Sequence, residues 1–250
     1  LQHRVRKVTE GMEVLKTRTA VENAFFEVWN DIRWYRRRKE EVNPEILKQA
    51  LETWIRLLAP FAPHICEEIW MKMGKEGFIS LAEWPRYYED KVNIRAEEAE
   101  ELIKNVLEDT SNILRVTKIA PKKIYYYSAA PWKWKVYLKA LEQSVSTKTD
   151  LSALMKESMK DPELKKAAKD VAKFTRKIIE EVNKMPEDKK HRELQIGVMK
   201  ENKNLKQAER FFKREFNAEV YTYNEDDIQR YDPKKKADSA RPYRPAIYIE

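Results

Sequence analysis

One cysteine, four glycines and three histidines in 250 residues set the first limits on this chain. A lone thiol, Cys66, can form neither a disulfide within the chain nor a cysteine-based zinc site, and it fits a reducing compartment, so the expected location is the cytoplasm. His3, His64 and His191 share no ligand spacing, and His64, between Pro63 and Ile65, reads as a structural histidine rather than a general base. Few glycines leave little material for tight turns, and with 37% charged residues the balance favours helices over an all-β fold. No apolar run approaches the ~20 residues of a membrane span, so no membrane partner is expected. The charged N-terminus carries no secretory signal and falls straight into helical pattern, as a segment beginning inside a larger protein would. A Gly-rich phosphate loop, a Gly-x-Ser-x-Gly elbow and a His-Glu-x-x-His motif are all missing. No metal or cofactor is expected, and no catalytic residue can be named.

What is present is charge, unevenly spread. The net charge is +8, yet residues 1–90 are neutral and the whole positive excess falls after them. Abundant Lys, Glu and Arg suits heat adaptation. A one-sided excess points further, to a polyanionic partner, nucleic acid first.

Helical periodicity covers the first third. Val5, Val8, Met12 and Leu15 form one stripe; Thr19 reads as the N-cap of a second helix running to about Arg38, with Val21, Phe25, Val28, Trp29, Ile32 and Tyr35 on its inner face. Arg36, Arg37 and Arg38 end it. They complement the helix dipole or contact phosphate, and both readings stand. Asn43-Pro44-Glu45 starts a third helix, with Ile46, Leu47, Ala50, Trp54, Leu57 and Leu58 inward. Pro60 and Pro63 then make a rigid corner into a fourth, whose apolar residues Phe61, Ile65, Ile69 and Met73 recur every four positions, and Gly74 and Gly77 close it.

Residues 93–119 read as one long connecting helix, with Leu102, Val106, Ile113 and Val116 inside. Ile124-Tyr125-Tyr126-Tyr127 reads as a strand. Helices follow from Pro131, from Asp150 to Ser158, from Asp161 to Asn183 and from Asn204 to Phe216, then strands at 218–223 and 246–249. Lys133 and Lys135 beside Trp132 and Trp134 read as mainly structural. Residues 234–245 read as a flexible basic connector. The expected fold class is mainly α: a helical bundle (1–90), a connecting helix (91–120) and a small α/β, or α+β, C-terminal domain (121–250).

The string Leu57-Leu-Ala-Pro-Phe-Ala-Pro-His-Ile-Cys-Glu-Glu-Ile-Trp70 resembles the helix junction in the anticodon-binding bundle of class Ia aminoacyl-tRNA synthetases. Two later stretches resemble the archaeal-type leucyl enzymes: Pro121-Lys-Lys-Ile-Tyr-Tyr-Tyr-Ser-Ala129 with Trp132-Lys-Trp134, and Arg244-Pro-Ala-Ile-Tyr-Ile-Glu250. The resemblance spans nearly the whole chain, although residues 142–215 carry no motif that matches. It implies a tRNA-binding portion of a leucyl-tRNA synthetase whose His-x-Gly-His and Lys-Met-Ser-Lys-Ser motifs, and ATP, belong to a catalytic part outside these residues. It also implies that the expected partners are leucine tRNA, through its long variable arm, and the catalytic and editing domains. Alternatives are the matching part of a valine or isoleucine enzyme, or a protein-interaction module of a translation complex.

On that reading Ile247, Tyr248 and Ile249 contact unpaired bases, while Lys234, Lys235, Lys236, Arg241 and Arg244 attract phosphates, as Arg36, Arg37 and Arg38 do from the bundle. The plainer reading of the same tail is an edge strand with Ile247 and Ile249 buried and Tyr248 outward.

Overall fold

Asn43 lies in an extended conformation, and its side chain accepts the N–H groups of Glu45 (3.0 Å) and Ile46 (3.2 Å), so a helix begins at Pro44. Such local rules build most of the computed structural model, which describes residues 1–146 and 149–250 and divides into two units, Leu1–Asn93 and Ile94–Glu250. It is mainly helical, with one small mixed sheet.

The first unit contains α1 (Gln2–Glu13), α2 (Thr17–Val21), a π-helical turn (Glu22–Glu27), α3 (Val28–Arg38), α4 (Pro44–Leu58) and α5 (Pro63–Lys72). Leu15 takes a left-handed φ of 54°, and the Lys16 N–H returns to Gly11 O at 2.8 Å. The reversal is tight enough for α2 to start at Thr17, so Thr19 lies inside the helix rather than capping it. Gly11 brings α1 close: a Cβ there would sit 3.2 Å from the Ala20 Cβ. Only small or slim residues fit that seam, so Ala20, Ala24, Val28 and Ile32 face Val5 and Val8. The wide π turn completes the change of phase. Phe25 and Trp29, read from the sequence as inward, are turned outward.

A similar correction applies at the proline corner. The sequence stripe puts Ile65 and Ile69 inside, yet they are 56% and 37% exposed, while Cys66 and Trp70 are buried with Ile55 and Ile79. The Glu67 carboxylate accepts the Ile79 N–H, which draws the returning segment over the Cys66–Trp70 side of α5. Ile46 of α4 is likewise exposed. Gly74 and Gly77 end α5 as expected, with φ of 72° and 70°.

The second unit begins with α6 (Ile94–Thr117), the stretch that reads as a bridge. Its Leu102, Ile103, Val106 and Leu107 are buried within this unit, and Thr110 Oγ1 lies 3.0 Å from the Tyr126 hydroxyl, so α6 is part of the second core. Val116, expected inside, is exposed. The strands are β1 (Lys123–Ser128), β2 (Glu219–Asn224) and β3 (Ala246–Ile249), in the order β2-β1-β3. β1 pairs parallel with β2 and antiparallel with β3.

Between β1 and β2 lie α7 (Pro131–Ser146), α8 (Leu151–Ser158), α9 (Pro162–Lys166), α10 (Ala168–Lys184), α11 (Glu187–Ile196) and α12 (Glu201–Phe216). The helix expected over 161–183 is broken at Ala167, and α11 fills a stretch that reads as polar loop. Residues 234–245, expected to be flexible, are fastened. Ala237 and Ala240 are fully buried against Tyr125 and Tyr127, and the Asp232 side chain accepts the Lys236 and Ala237 N–H groups at 2.7 and 3.0 Å.

Candidate nucleic-acid interface

Alternation along β1 sends Tyr126 to one face of the sheet, against Phe212 of α12, and Tyr125 and Tyr127 to the other. On that second face Tyr125 is flanked in register by Tyr221 of β2 and Tyr248 of β3, with ring centroids 5.4 and 5.8 Å away. Tyr231, from the segment after β2, adds a fourth ring at 5.0 Å. The hydroxyls of Tyr231 and Tyr248 both donate to Glu250 Oε1, at 2.7 and 3.1 Å. Burial and the Glu250 charge push the Tyr125 phenol up to about 12. Tyr125 is buried beneath the cluster, while Tyr221 and Tyr231 present exposed ring surface.

The tail carrying Tyr248 is a paired edge strand, with Ile247, Tyr248 and Ile249 all half-buried. Tyr248 is therefore not simply outward, as the plainer reading of the sequence has it; it stacks on Tyr125. The turn before the strand closes through reciprocal Arg241–Arg244 backbone bonds of 3.0 and 2.9 Å, with Tyr243 at φ 61°. Glu201, at the start of α12, accepts the Tyr243 N–H at 2.6 Å and the Ala129 N–H at 3.2 Å. Burial pushes its carboxyl up to about 8 against the pull of those two donors.

Lys133, 3% exposed, donates to Asp238 O (2.9 Å) and Ala240 O (2.7 Å) and pairs with Glu225 at 2.7 Å. Burial lowers its pKa, while the Glu225 charge works the other way. The Trp-Lys-Trp-Lys cluster is thus structural: Trp134 is buried and Lys135 pairs with Asp161 and Glu163.

Of the tail cations, Lys234, Lys235 and Lys236 are exposed. Arg241 is half-buried and bonded to Glu181 of α10, and Arg244 is exposed, 3.9 Å from the same carboxylate. In the first unit, Arg36 and Arg37 line an open groove of about 520 Å³ together with Asn30, Arg33, Trp34 and Lys39. Arg38 is half-buried and is not among the lining residues. The sequence reading omits Arg33 and the Tyr125–Tyr221–Tyr231 cluster. Arg33 stands four residues before Arg37, and Tyr221 alternates along its strand; only Tyr231 leaves no local signal.

A second groove, of about 450 Å³, lies at the proline corner, lined by Arg56, Pro60, Pro63, His64, Glu67 and Trp84 among others. His64, read from the sequence as a structural histidine, is exposed there. Among the described residues no three His, Cys, Asp or Glu side chains are grouped to hold a metal ion, and no helix is long and apolar enough to cross a membrane.

Comparison with known proteins bears on both units. The family model described as the anticodon-binding domain of tRNA ligase matches residues 1–126. A leucine–tRNA ligase of Methanococcoides burtonii is 40% identical over 252 residues, covering 100% of this chain and 26% of its own length. Those of Methanosarcina acetivorans and Pyrococcus horikoshii are each 40% identical, again over 100% of this chain and over 26% and 24% of their own lengths. The chain spans about a quarter of the length of these relatives.

Proposed function

The chain belongs to the family of anticodon-binding domains of tRNA ligases, and from that premise we propose that it is the tRNA-docking part of a leucine–tRNA ligase. One observation carries the leucine assignment: similarity to such ligases continues past residue 126, where the family model ends, through the whole second unit. The docking part holds leucine tRNA by its backbone and by the long variable arm, while the attachment of leucine, with ATP, is performed by the remainder of a longer protein.

Charge supports this role. The excess of +8 lies after residue 90, and Lys234, Lys235, Lys236 and Arg244 are exposed on a segment fixed in place by Lys133 and Glu201. Cations held on a rigid support attract phosphate without first being ordered. Arg36 and Arg37 offer the same chemistry in the first unit. Ile247, Tyr248 and Ile249 present an outer strand edge whose main-chain groups suit base edges.

The test is a titration against leucine tRNA and against the same tRNA with its variable arm shortened. Deleting 244–250 would remove β3 and damage the sheet, so the informative variant reverses charge instead, with Lys234, Lys235 and Lys236 each changed to Glu. Weaker binding on shortening the arm is expected, together with a log–log salt slope lowered by roughly 0.7–0.9 for each phosphate that the variant no longer neutralises. Equal binding of both tRNAs would refute arm recognition and return the valine and isoleucine readings.

A protein contact is favoured by a separate observation. Ile65, Ile69, Phe78 and Leu81 are exposed apolar residues on and beside the proline corner. The occupant consistent with relatives about four times as long is the remainder of the ligase, including its catalytic and editing domains.

A further inference from the structure

Two arginines of the tail share one acid. Arg241 donates to Glu181 Oε1 of α10, and Arg244 Nη1 lies 3.9 Å from the same oxygen. Both guanidinium groups spring from one closed turn, with reciprocal backbone bonds between Arg241 and Arg244 and with the Tyr243 N–H held by Glu201 at 2.6 Å. They converge on the carboxylate from a fixed base. Lys234, Lys235 and Lys236, earlier in the same segment, have no ion pair among the described residues. On its own helix Glu181 has other cations to hand. Lys177 stands four residues before it and Lys184 three after, both exposed and both at spacings that bring helix side chains together. Neither forms an ion pair among the described residues. The carboxylate turns to the tail instead.

Fastening the tail does not need this contact, because Lys133, Asp232 and Glu201 already hold the segment. The contact is also open to a competing anion: the Arg244 side chain is 63% exposed and that of Glu181 35%. Nor does one carboxylate satisfy two guanidinium groups. Each presents five N–H donors, and a single negative charge leaves the two arginines with a surplus positive one. Successive phosphates of a nucleic-acid backbone supply an anion for each arginine. A carboxylate freed by them has Lys177 and Lys184 within reach, and an exposed ion pair is weak enough to exchange. The exchange is still opposed, since the Glu181 charge remains near the incoming phosphates and repels them.

We propose that Glu181 is a built-in competitor for phosphate: it occupies Arg241 and Arg244 in the free protein and yields them to the tRNA backbone on binding. This rests on the tRNA-docking role proposed above. It adds an acidic residue that touches no base yet lowers the affinity of the tail for every polyanion, so that only a partner with further contacts binds well.

The experiment titrates the 250-residue chain with leucine tRNA at several salt concentrations. Glu181→Gln removes the charge but keeps an oxygen that can accept from the arginines. Glu180→Gln is the control: Glu180 is the exposed neighbour on α10, carries the same charge and has no ion pair among the described residues. Glu181→Gln should bind roughly 2- to 10-fold more tightly at low salt, the worth of one exposed ion pair released and one nearby like charge removed. The gain should shrink as salt screens the charges. The log–log salt slope should steepen by roughly 0.7–0.9 for each phosphate newly neutralised. With Arg241 and Arg244 both changed to Ala, Glu181→Gln should have no effect beyond that of the control. A Glu181→Gln protein that binds no more tightly than Glu180→Gln refutes the competitor while tRNA docking stands. Weaker binding refutes it too, and makes Glu181 a residue that orients the arginines. If the unaltered chain does not bind leucine tRNA, the docking role itself fails, and this proposal with it.

Discussion

Replacing Lys133 with methionine should destabilise the second unit by roughly 3–5 kcal/mol, the range measured when one partner of a buried ion pair is removed. Lys133 holds the Glu225 carboxylate, whose side chain is 11% exposed, and supplies the donor for Asp238 O and Ala240 O. Methionine keeps the stem and most of the volume, so the packing term is small and the electrostatic term dominates. Asp238 is exposed, so water replaces the donor at its carbonyl; Ala240 is fully buried and its carbonyl is left worse off. In a domain of this size each kcal/mol lowers Tm by about 2–4 °C, which gives a fall of ~6–20 °C. The assay is thermal and urea unfolding followed by near-ultraviolet circular dichroism of the tyrosine cluster. Adding Glu225→Leu should recover much of the loss, since no unpaired charge then remains. A fall of less than about 2 °C, or a double variant no more stable than the single one, would refute this account of the fastening.

Three further outcomes follow from features of both units. Glu201 has its pKa raised from 4.5 to about 8, so the folded state retains a proton that the unfolded chain releases. Its contribution to stability therefore falls as pH rises through that window, by at most ~1.4 kcal/mol per pH unit. Glu201→Gln should flatten the slope, and an unchanged difference in unfolding free energy between about pH 5 and pH 8 would rule the group out. Cys66 is fully buried and burial pushes its thiol up, so a thiol reagent should label it only as fast as the first unit opens; labelling at the rate of a free thiol in native buffer would contradict its burial. Asn43→Ala should cost ~1 kcal/mol through loss of the cap on α4, measurable as a shift in urea midpoint at constant slope.

What the sequence made legible was what local chemistry decides. Asn43 caps its helix as expected, Asp150 and Asp161 stand where helices were expected to begin, and β3 spans the residues its apolar and aromatic content indicates. Periodicity found most of the helices but turned exposed residues inward on two of them, Ile65 and Ile69 on α5 and Phe25 and Trp29 on the helix before Arg38, where Val28 and Ile32 are buried as expected. A four-residue spacing is the same for Ile65–Ile69 as for Cys66–Trp70, and only Glu67 and the returning Ile79 choose between them. On the helix before Arg38 the choice was made by the close approach of Gly11 on α1 to Ala20 on α2, and by a π turn that no spacing announces. α11 was invisible because its buried residues include Lys190 and Glu193, the latter accepting from the Tyr137 hydroxyl. The tail segment looked mobile for a related reason: polar, basic and proline-bearing, it is held by Lys133 and Glu201, roughly 100 and 40 positions earlier in the chain. Of the candidate RNA-contacting residues, composition pointed to the exposed cations, while the tyrosine cluster needed the pairing of three strands to bring it together.

The sheet order β2-β1-β3 also bears on how the protein is made. β1 is the central strand and is synthesised first, but it has no neighbour until residues 219–224 exist, and its second edge stays open until residues 246–249 exist. At about 5–20 residues per second, its three consecutive tyrosines wait roughly 6–24 s on the ribosome between their own synthesis and the last strand. Parallel, long-range pairing is slow to form and leaves such segments open to wrong partners. A nascent chain halted before β2 therefore displays an unpaired aromatic strand, and one halted between β2 and β3 an open strand edge, that chaperones and proteases can engage until the sheet is finished.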